Sequence, residues 1–580
     1  MAHTRSTDVL IVGAGPVGLS AAAGLAVHGV RIRLVDLLPA RLPYAKAVGV
    51  QPRTLEIWDR MGLAREVVEA AVPLHGQLTY VNGVEQPRME LELPPEVPYG
   101  FAALPQYETE RLLEEYLAGL GTAIERETEL LSFSQDADGV TALLDSASGG
   151  QEEVRAGFLI GCDGAHSAVR KGLGLSFEGG AFPTSYMLAD IEADWDLPAG
   201  YSVQASHRAA DGTVDDLLVC VPLPGAGRYR VSMLAPPELV AERPAKGGAA
   251  ATSGTGAAPD GVAHGLGGDR VPELSDIQAV VDRLAPAPAV LSHMRWSSVF
   301  RISHRIVDHY GEGRVFVAGD AAHIHPPTGA QGMNTGIQDA CNLAWKLALV
   351  LRGSAGSALL TSYDAERRPV GEEVVGRTVR HSAQGVQADP DDPRTLMLRE
   401  AQLLIEYRDG PLATTPYGPA DAPQPGDRAP DCDGLAAPLT TYRMRLLDVL
   451  RGCPGHAVIL YLTDPVDPVA ARAAAELEGA RAIGTAAPTP HQARGLRTVA
   501  VVAPGTEPRE APGTPAGLSA VAELPVPGYL DTAGEFARIY RPEGPTGFIV
   551  RPDGQLGARF PLSRTKEALA EYLAVLSVRA

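Results

Sequence analysis

The chain of 580 residues is 45% hydrophobic and carries a formal net charge of -20. Its length predicts about three to four domains, and its acidity argues against nucleic-acid and anionic-membrane partners, which need concentrated Lys and Arg. The five cysteines form no CxxC pair, which disfavours zinc and dithiol redox chemistry and indicates a reducing compartment. We therefore expect a cytoplasmic protein.

The N-terminal stretch predicts a βαβ unit with a strand at Asp8–Val12, a helix from about residue 17 to 27 and a strand at Arg31–Val35. Glycines in the turn after the first strand let the backbone approach a pyrophosphate, whose charge faces the helix N terminus. Asp36, at the end of the second strand, is placed to accept hydrogen bonds from a ribose. These features predict a dinucleotide site, for either FAD or NAD, in the turn Gly13-Ala14-Gly15-Pro16-Val17-Gly18.

A second glycine motif, residues 161–170, follows the predicted strand Phe158–Ile160 and contains Asp163. Residues 177–297 change character, because alternating segments such as Asp215–Val221 and Arg228–Leu234 are typical of antiparallel strands. Within them, residues 243–268 are rich in Gly, Ala, Ser and Pro. Such a composition cannot bury enough apolar surface to offset its ordering entropy, so we predict a flexible surface insertion.

A third motif begins at Gly319-Asp320, directly after the predicted strand Val315–Ala318. It continues through Pro327 to Gly332-Met333-Asn334, which opens a helix predicted to end near Arg352. A helix that starts at a glycine loop presents free N–H groups and the positive end of its dipole.

The remainder of the chain predicts a linker at residues 411–425, rich in Pro, and a separate unit at 426–580. The expected strands of that unit are Ala457–Tyr461, Arg497–Val502 and Gly547–Val550, and its last helix is Thr565–Leu576.

Several polar residues could serve either a structural role or a chemical one, such as binding a metal or a substrate. His323 and His325 lie two residues apart with no Cys or carboxylate at ligand spacing, so we predict no metal site there. The chain has no nucleophile-elbow GxSxG for a serine triad. Four arginines could meet an anionic or phenolic substrate, although solvated surface charge is the favoured interpretation for each; they are Arg228, Arg230, Arg301 and Arg305.

The three motifs, in this order and spacing, resemble the single-component (class A) flavoprotein aromatic hydroxylases. That family includes para-hydroxybenzoate hydroxylase, phenol hydroxylase and the polyketide hydroxylases, and residues 8 to about 370 carry the resemblance. It implies an α/β fold in which a Rossmann-like FAD-binding domain, residues 1–176 and 298–410, is interleaved with a mixed-sheet substrate domain, residues 177–297. It also implies a thioredoxin-like C-terminal domain, carried by Pro425–Pro430 and Phe548–Gly554, with a packing or homodimer-forming role because Cys453 stands alone.

The resemblance implies FAD as cofactor and NADPH or NADH as transient co-substrate. The enzyme would then hydroxylate an aromatic small molecule, a phenol or a polyketide, with O₂ through a flavin hydroperoxide. The positive end of the helix at Gly332 would stabilise the anionic reduced flavin. Two alternatives stay open: Baeyer–Villiger oxygen insertion on the same scaffold, and a non-oxygenating FAD-binding protein or dehydrogenase.

The resemblance also transfers roles to single residues. Asp320 corresponds to the Asp that binds ribityl or ribose hydroxyls, Asp163 to a structural residue beside the cofactor, and Gln106 to a glutamine that contacts the flavin's sugar chain. Lys46 and Arg53 correspond to two basic residues near the FAD pyrophosphate, and Ala330 replaces a common glycine. No catalytic base is assigned. The full set of expected cofactor-binding residues is Gly13, Gly15, Pro16, Val17, Gly18, Asp36, Lys46, Arg53, Gln106, Asp163, Gly319, Asp320, Pro327, Gly332, Met333 and Asn334.

Overall fold

The computed structural model describes residues 5–43, 47–236, 239, 262, 265–266, 271–384, 389–465, 468–480, 496–504 and 521–577. In these ranges no helix is long and apolar enough to cross a membrane. The helices are α1 (Pro16–Ala26), α2 (Pro52–Met61), α3 (Ala64–Ala70), α4 (Gln106–Gly119), α5 (Ala168–Leu173), α6 (Leu274–Leu284), α7 (Gln331–Leu351), α8 (Thr361–Gln384), α9 (Pro393–Glu400), α10 (Leu446–Leu450), α11 (Pro468–Ala480), α12 (Glu535–Tyr540) and α13 (Thr565–Leu576).

The strands form an N-terminal, a middle and a C-terminal sheet, with a small fourth sheet beside the first. They are β1 (Arg5–Val12), β2 (Ile32–Val35), β3 (Gly49–Val50), β4 (Val72–Leu74), β5 (Gly76–Val81), β6 (Val84–Glu85), β7 (Met89–Glu90), β8 (Phe101–Ala103), β9 (Ile124–Glu125), β10 (Thr128–Gln135), β11 (Val140–Ser146), β12 (Gly150–Gly161), β13 (Phe177–Asp194), β14 (Tyr201–Arg208), β15 (Val214–Pro222), β16 (Arg228–Leu234), β17 (Gly265–Leu266), β18 (Val290–Val307), β19 (Gly311–Glu312), β20 (Val315–Val317), β21 (His323–Ile324), β22 (Leu435–Ala436), β23 (His456–Leu462), β24 (Leu496–Val502), β25 (Gly528–Asp531), β26 (Thr546–Val550) and β27 (Leu556–Pro561).

The N-terminal sheet has a parallel core in the order β20-β12-β1-β2-β9. Residues Val9, Leu10 and Ile11 of β1 are fully buried, as a strand covered on both faces requires. Helix α1 packs closely on α7, since a Cβ on Gly24 would lie 2.9 Å from the Cβ of Ala344. The predicted strand-helix-strand opening is confirmed, and it brings the start of α1 next to the motif segments that come later in the chain.

The middle sheet has ten strands, mostly antiparallel, and confirms the predicted pairing of β15 with β16. Its membership differs from the prediction in two respects. Residues 76–90, expected in the first FAD-binding segment, enter this sheet because β5 pairs in parallel with β14. At the other boundary, β18 continues to Val307, ten residues beyond the predicted end at 297. Neither feature could be predicted from local sequence patterns, because both depend on pairing between strands that are far apart in sequence.

The predicted insertion 243–268 lies mostly outside the described residues. The prediction is wrong for three that are described. Gly265–Leu266 pairs with Phe300 and Arg301 of β18, and Val262 is only 3% exposed beside Ala165 and Ile324. Ladder hydrogen bonds and apolar contacts therefore hold the end of this segment against the protein.

The C-terminal sheet is mixed, in the order β22-β25-β24-β23-β26-β27. The three strands and the last helix predicted for this unit are confirmed, α13 with the same bounds. The resemblance to a thioredoxin-like domain stays a prediction. The predicted linker 411–425 has no helix or strand, yet it packs tightly, because Leu412 and Ala422 are 2% and 1% exposed.

Candidate active site

The glycine turn joins β1 to α1 in a conformation that needs glycine. Gly13 has φ +99°, and a Cβ there would lie 2.4 Å from the carbonyl oxygen of Cys162. Around Gly15, in contrast, no described atom lies within 4 Å of an added Cβ. No described side chain caps the start of α1, which has Pro16 in its first turn. The turn thus offers open space in front of free helix N–H groups.

Asp36 lies at the carboxyl end of β2 and contacts this turn. Its carboxylate accepts hydrogen bonds from the backbone N–H of Ala14 at 2.6 Å and of Leu38 at 2.8 Å. Arg126 approaches it at 3.6 Å. The structure thus brings Asp36 beside the glycine turn, although the two are more than twenty residues apart in sequence.

Asp163 lies before the short helix α5, and its carboxylate caps the first turn of that helix. Its carboxylate accepts hydrogen bonds from the Ser167 hydroxyl at 2.5 Å and from the backbone N–H groups of Ala168 and Val169 at 2.7 and 3.2 Å. Burial raises the pKa of Asp163. Its Cα lies 2.9 Å from the position of an added Cβ on Gly13, so the second motif meets the first.

The Gly319-Asp320 turn is a short 3₁₀ segment between α1 and α7. Gly319 has φ +61°, and a Cβ there would lie 2.7 Å from Val17 of α1. A Cβ on Gly336 of α7 would lie 2.8 Å from the Cα of Gly319. Asp320, next in the chain, is partly exposed. The turn is therefore packed between the two helices that carry the first and third motifs.

The start of α7 is held by Asn334. Its amide oxygen accepts hydrogen bonds from the Gln51 N–H and the Thr54 hydroxyl, and its amide nitrogen donates to the carbonyls of Gly49 and Ala330. The side chain is fully buried. These contacts use both acceptor positions of the amide oxygen and both hydrogens of the amide nitrogen, so the expected cofactor contact of Asn334 is not made by its side chain.

The first turn of α7 is otherwise open. Within the described ranges no side chain caps it, so the backbone N–H groups around Gly332 and Met333 stay free to donate hydrogen bonds. Ala330 precedes the helix with φ +54°, a left-handed conformation that favours glycine. Pro327 is exposed in the loop before it.

Of the two basic residues expected near the pyrophosphate, Lys46 lies outside the described residues and Arg53 is used inside the protein. Arg53 is 4% exposed, and its terminal nitrogens donate to Glu56 at 2.9 Å and to the backbone carbonyl of Asp553 at 2.7 Å. The predicted phosphate contact of Arg53 is therefore wrong, because the C-terminal unit, distant in sequence, uses the guanidinium.

Gln106 starts α4 and holds the segment before β3. Its N–H donates to the carbonyl of Ala47 at 3.0 Å, and its side-chain nitrogen donates to Glu110 at 2.8 Å. Burial raises the pKa of Glu110 to about 7. Sequence reasoning missed Glu110, although its position one helical turn after Gln106 is the available signal.

The two histidines of the third motif are buried, and their rings contact different partners. His323 contacts Asp339 through Nε2 at 2.8 Å. His325 contacts the carbonyl of Pro326 through Nδ1 at 2.8 Å, and burial lowers the pKa of His325 to about 4, so its ring is neutral. Among the described residues, no group of three or more His, Cys, Asp or Glu side chains could hold a metal ion.

A sequence profile described as FAD binding domain matches residues 6–246 and 268–378. A flavin-dependent monooxygenase of Mycobacteroides abscessus is 33% identical over 457 residues, which cover 77% of this chain and 86% of that protein. The 6-methylpretetramide 4-monooxygenase of Streptomyces rimosus is 38% identical over 374 residues, 64% of this chain and 61% of that protein.

The chain belongs to the FAD-binding monooxygenase family. Its cofactor is FAD, as the resemblance implies, and it is an oxidoreductase. The fold extends the likeness to the whole length. The crystal structure of a ternary complex of aklavinone-11 hydroxylase with FAD and aklavinone has a TM-score of 0.72 and 25% identity, covering 99% of this chain and 100% of that one.

The middle sheet of this monooxygenase has one face covered by α6 and a second face that carries a different set of side chains. Cross-strand pairs place Tyr186 opposite Phe300 and Asp190 opposite Trp296 on the second face. Leu188 lies between them and is 8% exposed. The second face is thus an aromatic and apolar wall around one buried carboxylate.

That carboxylate neutralises an arginine. Asp190 and Arg230 are 1% and 4% exposed and form an ion pair, and the guanidinium carbon lies 4.9 Å from the centre of the Trp296 ring. The interpretation of Arg230 as solvated charge is therefore wrong.

The other candidate arginines are partly buried. Arg228 donates to the Tyr107 hydroxyl at 2.9 Å, and Arg305 donates to the carbonyl of Phe177.

A cavity of about 450 Å³ lies between α8 and residues 399–410. It is lined by none of the residues predicted to bind FAD. Arg377 and Arg399 on its wall already pair with Glu400 and Asp391.

Proposed function

We propose that FAD is held where the three motifs converge. The single observation that carries the proposal is the packing of the Gly319-Asp320 turn between the starts of α1 and α7. In this arrangement the open space at Gly15 takes the pyrophosphate, Asp36 the ribose and Asp320 the ribityl hydroxyls. The free N–H groups at Gly332 and Met333 would donate hydrogen bonds to the flavin ring system.

When bound and reduced by NADPH or NADH, FAD supplies the activation of O₂ that transfers one oxygen atom to an aromatic ring. The contribution of the protein is orientation and electrostatics. The helix N–H groups and dipole of α7 stabilise negative charge on the ring system placed before them. His325, beside Gly332, is neutral and therefore leaves this stabilisation to the helix end.

We propose further that the substrate is a polycyclic aromatic of the polyketide type. The aromatic wall of Tyr186, Phe300 and Trp296 suits a flat, apolar ring system. Because Asp190 already neutralises Arg230, this part of the wall offers no spare positive charge for a substrate carboxylate. Two similar proteins are named for polycyclic substrates, 6-methylpretetramide and aklavinone. A buried wall also excludes water from the reacting ring.

A cytoplasmic homodimer completes the proposal. All five cysteines are free and buried, which suits a reducing compartment. Light scattering on the holoenzyme measures the oligomeric state.

The cofactor assignment is tested with Asp320→Ala. Loss of its hydrogen bonds to a buried hydroxyl should weaken FAD about tenfold or more, as measured by flavin fluorescence titration. Asp211→Ala, in an exposed loop of the middle sheet, is the control and should leave FAD affinity unchanged. A variant D320A that retains wild-type affinity would show that the assignment is wrong.

The substrate assignment is tested by NADPH and NADH oxidation with polycyclic polyphenols and single-ring phenols. We expect polycyclic compounds to stimulate oxidation and to gain one oxygen atom as a phenolic hydroxyl. Stimulation by single-ring phenols alone, or a lactone product, contradicts the proposal.

A further inference from the structure

Asp339, on the third turn of α7, receives three donors inside the protein. Its Oδ2 accepts the backbone N–H of Gly319 at 3.2 Å and contacts His323 Nε2 at 2.8 Å, while its Oδ1 accepts Arg367 Nε at 2.7 Å. The side chains of Asp339, His323 and Arg367 are at most 1% exposed. This carboxylate thus joins α7, the Gly319-Asp320 turn and α8.

The carboxylate stays ionised in spite of its burial. Burial opposes the charge, but the nearby Arg367 and His323 outweigh it and hold the pKa of Asp339 below its ordinary value. Arg367 also donates to the Tyr407 hydroxyl at 2.8 Å and to the carbonyl of Thr335 at 3.1 Å. Removing the negative charge would leave a buried cation without its partner, which is costly.

The contact with Gly319 determines the geometry of the turn. Gly319 is in the left-handed region, and Val17 and Gly336 crowd it on two sides. Water cannot replace the lost acceptor for its N–H, because the residue is fully enclosed. The start of α7 and the Gly319-Asp320 turn are therefore tied to each other by a side chain on the same helix.

We propose that Asp339 is a positioning residue for FAD, which presents Asp320 at a fixed place relative to the N terminus of α7. The proposal rests on the assignment of Asp320 to the flavin. Asp339 itself touches only protein groups, so it acts through Gly319, and its effect on the cofactor should depend on Asp320.

The test measures FAD dissociation constants for Asp339→Asn, Asp320→Ala and the double variant, together with the near-ultraviolet circular dichroism of the bound flavin. We expect D339N to weaken FAD about tenfold and to change the flavin dichroism. In the D320A background, D339N should add less than about twofold, because the positioned group is already gone.

A matched control separates positioning from general stability. Asp431 in the C-terminal unit is also buried and accepts an arginine, Arg445, and a backbone N–H, that of Leu447. Asp431→Asn should leave FAD affinity within about twofold. If D339N does not fold, His323→Phe replaces it, since it keeps a ring against Tyr310 and removes one donor from Oδ2. FAD should then bind several-fold more weakly.

The results distinguish the positioning role of Asp339 from the assignment of Asp320 to the flavin. If D320A weakens FAD while D339N and His323→Phe do not, the positioning role is overturned and the flavin site stands. If D320A has no effect, the assignment of Asp320 fails, and the inference fails with it. Fully additive losses in the double variant would overturn positioning through Asp320.

Discussion

Arg551 of the C-terminal unit makes two parallel contacts with Glu366 of α8, Nη1 to Oε1 at 2.7 Å and Nη2 to Oε2 at 2.8 Å. Both side chains are fully buried. Lys346 contacts the same carboxylate at 2.8 Å, and Asp553 accepts hydrogen bonds from Asn342 and Trp345 of α7. The C-terminal unit is therefore joined to the helices of the FAD-binding unit by buried charges and not by a loose linker.

Arg551→Met should destabilise the holoenzyme strongly. The substitution leaves the carboxylates of Glu366 and Asp553 with fewer cations in a dry interior, a loss of about 3–5 kcal/mol for a buried pair. Thermal unfolding of the holoenzyme measures the effect. Arg538→Met, which removes an exposed pair with Glu535 in the same unit, is the control and should cost less than about 1 kcal/mol. Equal effects of the two changes would contradict the importance of the buried contact.

Arg53→Met should lower stability without weakening FAD. The guanidinium donates to Glu56 and to the carbonyl of Asp553, and Glu56 keeps a second partner in Arg428. We expect a loss of about 1–3 kcal/mol in unfolding free energy and a FAD dissociation constant within about threefold of wild type. If the variant instead binds FAD tenfold more weakly and its stability is unchanged, Arg53 contacts the FAD pyrophosphate, as the resemblance implies.

Ala330→Gly should stabilise the protein by about 1 kcal/mol, because Ala330 has φ +54° and glycine adopts this conformation without strain. The unfolding midpoint measures the gain. Ala570→Gly on the exposed side of α13 is the matched control, and it should lose about 1 kcal/mol through helix propensity. A lower midpoint for Ala330→Gly contradicts the prediction.

Glu110→Gln should stabilise the protein more at pH 8 than at pH 5. Burial raises the pKa of Glu110 from 4.5 to about 7. The native state therefore binds a proton more tightly than the unfolded chain, and this stabilisation is lost as the pH rises through 7. A glutamine does not titrate, and its oxygen still accepts from Gln106. At about 1.4 kcal/mol per pKa unit, the advantage of the variant should grow by about 2–3 kcal/mol.

The matched control for this pH dependence is Glu115→Gln, which lies on the exposed side of α4. Unfolding midpoints of the two variants and the wild type are compared at pH 5, 6, 7 and 8. We expect the difference between E115Q and the wild type to stay constant over this range. A constant difference for E110Q as well would show that Glu110 titrates normally.

Much of the fold was predictable because its signals are local. The turn at Gly13, the strand Arg228–Leu234 and the helix Thr565–Leu576 each depend on residues within one element, where hydrophobic period, glycine and capping patterns act directly. The three motifs and their order were sufficient to identify the family.

The errors concern side chains whose partners lie far along the chain. Arg53 bonds Asp553, 500 residues away, and Asn334 bonds Gln51, 283 residues away. Asp190 and Arg230 meet only because β13 and β16 pair. A short stretch of sequence contains no pattern from which these contacts could be predicted.

The sequence by itself therefore determined the elements, the dinucleotide motifs and the chemistry that such motifs support. Only the tertiary structure decided which polar side chains are used inside the protein, as with Asp339, Arg53 and Arg230. The physical reason is that a buried charge must find its partner wherever the fold brings one, and that partner is set by packing and not by distance along the chain.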